Sequence, residues 1–120
     1  MKSKQEILVI INNSTGTTAY HQFSPSPDFP VVTDGVIEVA QAAECFWLLD
    51  IIGGSQKHKK LDKNFQVWTL TVDWQDKSSV LRGYNDTKLI VTQKIPYTNF
   101  PLDEFKVYLI DGIILLPSEY

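Results

Sequence analysis

At 120 residues the chain is sized for one domain, residues 1–120, and a polypeptide of this length buries roughly two thirds of the surface that its unfolded form exposes. Its composition (43% hydrophobic, 12% aromatic, 21% charged) excludes a disordered segment, and a net charge of −3 with a pI near 5.2 offers no general attraction to nucleic acid. A single cysteine excludes an internal disulfide, and no run approaches the roughly 18 apolar residues of a membrane span.

Residues 3–13 carry two signals. Ser3 with Glu6 fits a capping box, whereas Ile7 to Ile11 is rich in β-branched residues that suit a buried strand; we read a short N-terminal helix. The apolar run is too short for a signal peptide, so a cytoplasmic protein is expected, and the N-x-S/T triplets beginning at Asn12, Asn13 and Asn85 then carry no meaning. Ser14 to Pro30 places Pro25, Pro27 and Pro30 among small polar residues, interleaved with Tyr20, Phe23 and Phe29, and reads as a long loop pinned by aromatics.

Thr33 to His58 dominates the chain. It reads as one long central helix, about 34–54, with Thr33 or Asp34 capping its start and Gly53-Gly54 stopping it. At about 100° per residue, Glu38, Gln41 and Glu44 form a polar strip opposite Val36, Val39, Ala40, Ala43, Phe46, Trp47 and Ile51. Asp50 falls in the middle of the apolar side. The second half has no face for water, so either the rest of the protein or another subunit must cover it.

The lysine-rich stretch around His58, with Lys57, Lys59, Lys60 and Lys63, reads as a solvated linker. From Phe65 the period changes to that of a strand: Gln66, Trp68, Leu70, Val72 and Trp74 share one face, while Phe65, Val67, Thr69 and Thr71 share the other. Turns follow around Asp76-Lys77-Ser78 and Tyr84-Asn85-Asp86. Residues 95–102 form a loop restricted by Pro96 and Pro101, and Asp111-Gly112 is the strongest hairpin signal in the chain. The expected architecture is α+β: the central helix packed on a four- to five-stranded antiparallel meander (about 65–116), with the short N-terminal helix in front.

Several blocks together resemble a family of small uncharacterised bacterial and bacteriophage proteins, described as a domain of unknown function. They are Thr15-Gly16-Thr17 with Tyr20, then Trp47-Leu48-Leu49-Asp50, Gln56, Phe65-Gln66-Val67-Trp68, Gln93, Tyr97-Thr98, Phe100-Pro101-Leu102 and the closing Pro117-Ser118-Glu119-Tyr120. One departure is the Tyr84-Asn85-Asp86 turn, where that family carries an Asp-Gly-Asn-Gly type of turn. The resemblance implies a cytoplasmic bacterial or phage protein and implies no activity.

No arrangement of residues forces a reaction or a cofactor. Asp50 is the most unusual residue: burial would raise its pKa and suit it to general acid–base work, while the plainer reading has it accepting hydrogen bonds from a turn, from Tyr20 or from the Trp68 indole. Tyr20, His21 and Gln56 are the side chains that would share a pocket with it. The two histidines and one cysteine have no metal-ligand spacing, Cys45 lies mid-helix as a small inert hydrophobe, and Gly53-Gly54-Ser55 lacks the lysine of a phosphate loop. Tyr97, Asn99 and Phe100 form a rigid aromatic loop that either binds a partner or folds back over the sheet edge. The first expectation is therefore a non-enzymatic protein acting through a protein partner or as a homo-oligomer. The alternative is a small-ligand binder or enzyme with a pocket around Asp50. Nucleic acid, membrane and metal are not expected partners.

Overall fold

Local capping decides the ambiguous N-terminal segment. A computed structural model describes residues 1–14, 19–26 and 28–120, and its first helix, α1 (Lys4–Asn13), starts where the Ser3 hydroxyl accepts from the Glu6 N–H and the Glu6 carboxylate accepts from the Ser3 N–H, each at 3.2 Å. Ile7 points inward from α1 and is fully buried. Thr15-Gly16-Thr17 lies outside the described residues.

The single helix expected over 34–54 is instead two helices, α2 (Asp34–Ala42) and α3 (Phe46–Ser55). Thr33 caps α2 as expected, its hydroxyl accepting from the Val36 N–H at 3.3 Å. The break comes at Glu44, which takes the left-handed conformation (φ 52°). There the Cys45 N–H donates to the Ala40 carbonyl (3.0 Å) and the Glu44 N–H to the Gln41 carbonyl (3.4 Å), a Schellman ending that usually uses glycine. Apolar periodicity carries no trace of such a stop. The start of the chain docks on it: the Met1 ammonium lies 3.1 Å from the Glu44 carboxylate, and the Lys2 N–H donates to the Ala42 carbonyl at 2.7 Å. The break resets the helical phase, so α3 buries Leu48, Leu49, Ile52 and Gly53 and turns Asp50 to solvent. At its far end α3 runs through Gly53-Gly54 rather than stopping at them.

The antiparallel meander over 65–116 is likewise corrected, to a seven-stranded mixed sheet. Its strands are β1 (Tyr20–His21), β2 (Val31–Thr33), β3 (Phe65–Asp73), β4 (Ser78–Asn85), β5 (Lys88–Ile95), β6 (Glu104–Ile110) and β7 (Ile113–Leu115), in the order β1-β2-β7-β6-β3-β4-β5. The pairings are antiparallel except for β2 with β7, which is parallel. Two strands come from the segment around the proline-rich loop, where each is too short to show a period. After β5 the chain crosses through residues 96–103 so that β6 pairs on the far side of β3. The β6–β7 turn is the expected hairpin, with positive φ at Asp111 (50°) and Gly112 (82°).

The core lies between the helices and the inner face of the sheet, where Trp68, Leu70, Leu81, Phe105, Val107, Leu109 and Ile114 meet Val36, Val39, Leu48, Leu49 and Ile52. Gly83 sits opposite Trp68 because a Cβ there would come within 2.6 Å of the indole. On the outer face Phe65, Tyr108 and Tyr120 pack as a trio with ring centroids 5.6–6.2 Å apart. The 3-10 turn Pro117–Glu119 closes the chain onto α2. Its Glu119 carboxylate accepts from the Thr33 hydroxyl (2.6 Å), the Leu116 N–H (2.9 Å) and the Gly35 N–H (3.3 Å), placing an anion at a helix N-terminus.

Candidate functional site

Among the described residues β5 is the last strand on its side of the sheet, so one of its backbone edges has no strand partner there. Its sequence, KLIVTQKI, is extended and partly apolar with lysines near both ends, a composition that keeps an exposed edge from pairing with itself. Strand register sorts its side chains. Ile95 lies opposite Ser79 and Val91 opposite Gly83, on the inner face, while Lys94 lies opposite Val80 and Thr92 opposite Arg82, on the outer face.

The helix α3 covers the inner face of the neighbouring strands but leaves β5 partly open. Trp47 and Ile51, one turn apart and half-buried, form one wall of a groove of about 440 Å³ whose other side is Ile95, Tyr97, Thr98 and Asn99, with Glu44 at one end. Tyr97 is 66% exposed. The loop that presents it is held from both sides: the Thr98 N–H donates to the Lys77 carbonyl (2.7 Å), the Thr98 hydroxyl accepts from the Phe100 N–H (3.1 Å), and Phe100 is buried against Phe105 with centroids 5.5 Å apart. Tyr97 and Asn99 therefore line a preformed groove, and Phe100 is its anchor in the core.

The other sequence-derived candidates are dispersed. Asp50 is exposed on α3, and the Trp68 indole donates to Gln66 (2.9 Å) instead. His21 pairs with Asp34 at 2.5 Å, and Asp34 also accepts from the Ala19 N–H at 3.2 Å, which ties β1 to the start of α2. Tyr20 is exposed beside Thr33, Ile113 and Leu115.

Gln56 belongs to a network that the sequence reading missed. It and Gln66 exchange amide hydrogen bonds (2.9 and 2.7 Å), Gln56 also donates to the Ile52 carbonyl (3.0 Å), and Gln66 also donates to the Asp62 carbonyl (2.9 Å). With the Trp68 bond, the fully buried Gln66 amide is satisfied on both its oxygen and its nitrogen. The available signal was Gln66 itself, a polar residue at an inward strand position. Asn85 completes the clasp on the lysine segment by accepting from the Asp62 N–H and donating to the Lys60 carbonyl, both at 2.7 Å. A second cleft, of about 560 Å³, opens where Gln56, Lys57 and Lys63 face Phe29 and Pro30.

Cys45 is buried and unpaired, and desolvation pushes its thiol up to about 12, so it stays protonated and unreactive at neutral pH. Among the described residues no group of three or more His, Cys, Asp or Glu side chains is placed to hold a metal ion, and no helix is long and apolar enough to cross a membrane. In comparisons with known proteins, a family profile described as a family of unknown function (DUF6876) matches residues 5–120. No curated protein and no solved structure matches the chain.

Proposed function

We propose, for a chain that belongs to this family of unknown function, a role as a docking module that takes an extended segment of a partner protein as an added strand along β5. The observation that carries the reading is the juxtaposition of an unpaired strand edge with an aromatic-lined groove on one side of it. In strand addition the backbone of the edge supplies affinity, and alternate side chains of the incoming segment find separate environments. One set meets Trp47, Ile51, Ile95 and Tyr97. The other lies over the outer face beside Lys94 and Arg82, with Lys106 two strands further on.

The chemistry of the segment follows: apolar residues alternating with acidic ones. A second copy of β5 fits less well, because it adds two more lysines to an edge that already carries Lys88 and Lys94 and brings no acidic residue to offset them. We therefore favour a different protein over a homo-oligomer. A cytoplasmic setting suits the one cysteine, buried and reduced.

The test is selection of linear peptides from a display library against the whole protein, followed by binding measurements on wild type, Tyr97→Asp and Lys94→Glu. Enriched sequences with alternating apolar and acidic residues, weakened by both substitutions, support the reading. Enriched peptides that bind both variants as well as wild type refute it.

A further inference from the structure

We propose that the cleft between the C-terminal end of α3 and the aromatic loop before β2 binds a small planar anion, a ring carrying a carboxylate or a phosphate. Its volume of about 560 Å³ falls within the range of about 300–1,000 Å³ usual for small-molecule pockets, and it is separate from the groove beside β5.

The wall that would take a ring is built by close approach. Phe29 lies directly on Gly53, where a Cβ would come within 2.5 Å of the ring, so only glycine lets the aromatic plane settle against the helix. The Phe23 ring, 5.9 Å away and tilted, props Phe29 from behind. An incoming ring can stack or pack edge-on against Phe29, as aromatic pairs prefer. The Gln56 side chain beside it is fixed by Gln66 and the Ile52 carbonyl, so this wall is rigid before any ligand arrives.

Charge sets the sign of the ligand. Lys57 and Lys63 line the cleft against the one carboxylate of Asp28, a net of one positive charge on the lining. Both belong to the segment 57–63, which holds Lys57, Lys59, Lys60 and Lys63 against Asp62 alone in a protein of net charge −3. The carbonyl end of a helix normally repels an anion, but here the Lys63 ammonium donates to the Gln56 carbonyl and offsets that end of α3. The Lys57 ammonium has no hydrogen bond or ion pair among the described residues and stands at the rim for a ligand's acid group. A local field of this kind also draws anions toward the mouth.

The experiment is a titration of the isotope-labelled whole protein, followed through its amide resonances. The probes are adenosine 5′-monophosphate and benzoate, with adenosine and inorganic phosphate as the separate halves. Saturable shifts confined to the amides of residues 28, 29, 31, 53–57 and 112, from either anionic ring, support the site. The probe that acts distinguishes phosphate from carboxylate. Lys57→Gln is expected to weaken binding about tenfold or more, the usual weight of a charge-assisted hydrogen bond, while its free spectrum stays folded. Three outcomes overturn the proposal: no saturable shift with either anionic ring, inorganic phosphate alone reproducing the shifts along the lysine segment, or undiminished affinity in Lys57→Gln.

Discussion

Replacing Gln66 with methionine isolates what the buried amide pair contributes, because volume is nearly kept while every hydrogen bond is lost. The Trp68 indole N–H is left without its acceptor at a position that is 1% exposed. An unsatisfied buried donor costs about 1–3 kcal/mol, and each further bond lost with a half-buried or exposed partner costs about 0.5–1.5 kcal/mol. Gln56 keeps its bond to the Ile52 carbonyl, and the Asp62 carbonyl belongs to an exposed residue that water can reach. Counting the orphaned indole and the two bonds exchanged with Gln56, the sum is about 2–6 kcal/mol, a large part of the roughly 5–15 kcal/mol that holds a domain together. Urea unfolding followed by tryptophan fluorescence should show a lower midpoint at an unchanged slope. Gln56→Met should cost less, and the double variant should fall short of the sum because the two amides are each other's partners. A Gln66→Met protein within about 0.5 kcal/mol of wild type would refute the reasoning, since that is the scatter of ordinary surface substitutions.

Glu44→Gly should stabilise the protein by about 0.5–1 kcal/mol, because glycine adopts the left-handed conformation without the roughly 1–2 kcal/mol that an L side chain pays there. The exposed ion pair with Met1 that is lost offsets only part of this gain; urea midpoints decide it, and a loss of stability would mean that docking of the chain start outweighs the strain. Burial pushes the Cys45 thiol up to about 12 from an ordinary value of 9.0, so its contribution to stability is complete below about pH 9 and is lost as pH rises from there towards 12. Iodoacetamide at pH 8 should therefore modify Cys45 only at the rate of global unfolding, and fast labelling of the folded protein would contradict the burial.

What could be read from the sequence was local. The capping box of Ser3 and Glu6, the Thr33 cap, the Asp111-Gly112 turn and the inward Gln66, Trp68, Leu70 and Val72 of β3 each depend on neighbours within a few residues and are where the pattern puts them. Trp74, expected on the same face, instead falls past the end of β3 and is exposed. What could not be read depended on distant partners. The stop at Glu44 uses a residue type that rarely takes left-handed geometry, and the parallel pairing of β2 with β7 joins segments 82 residues apart, at Val31 and Ile113. Misplacing that stop carried Asp50 onto an apolar face and so into a pocket it does not enter. Tyr97 and Asn99 are legible as candidates because prolines on either side restrict their loop. Trp47 and Ile51 joined them only once α3 had its own phase, and Phe100 proved to be the loop's buried anchor.

Amide hydrogen exchange along β5 tests the docking reading most directly, with and without a peptide taken from the selection. If the edge accepts an added strand, alternate amides of residues 88–95 exchange rapidly in the free protein and become protected when the peptide is bound, while β1 at the opposite edge is unchanged. Protection that appears elsewhere on the molecule, with the β5 amides still exchanging at the free rate in the presence of saturating peptide, would contradict it.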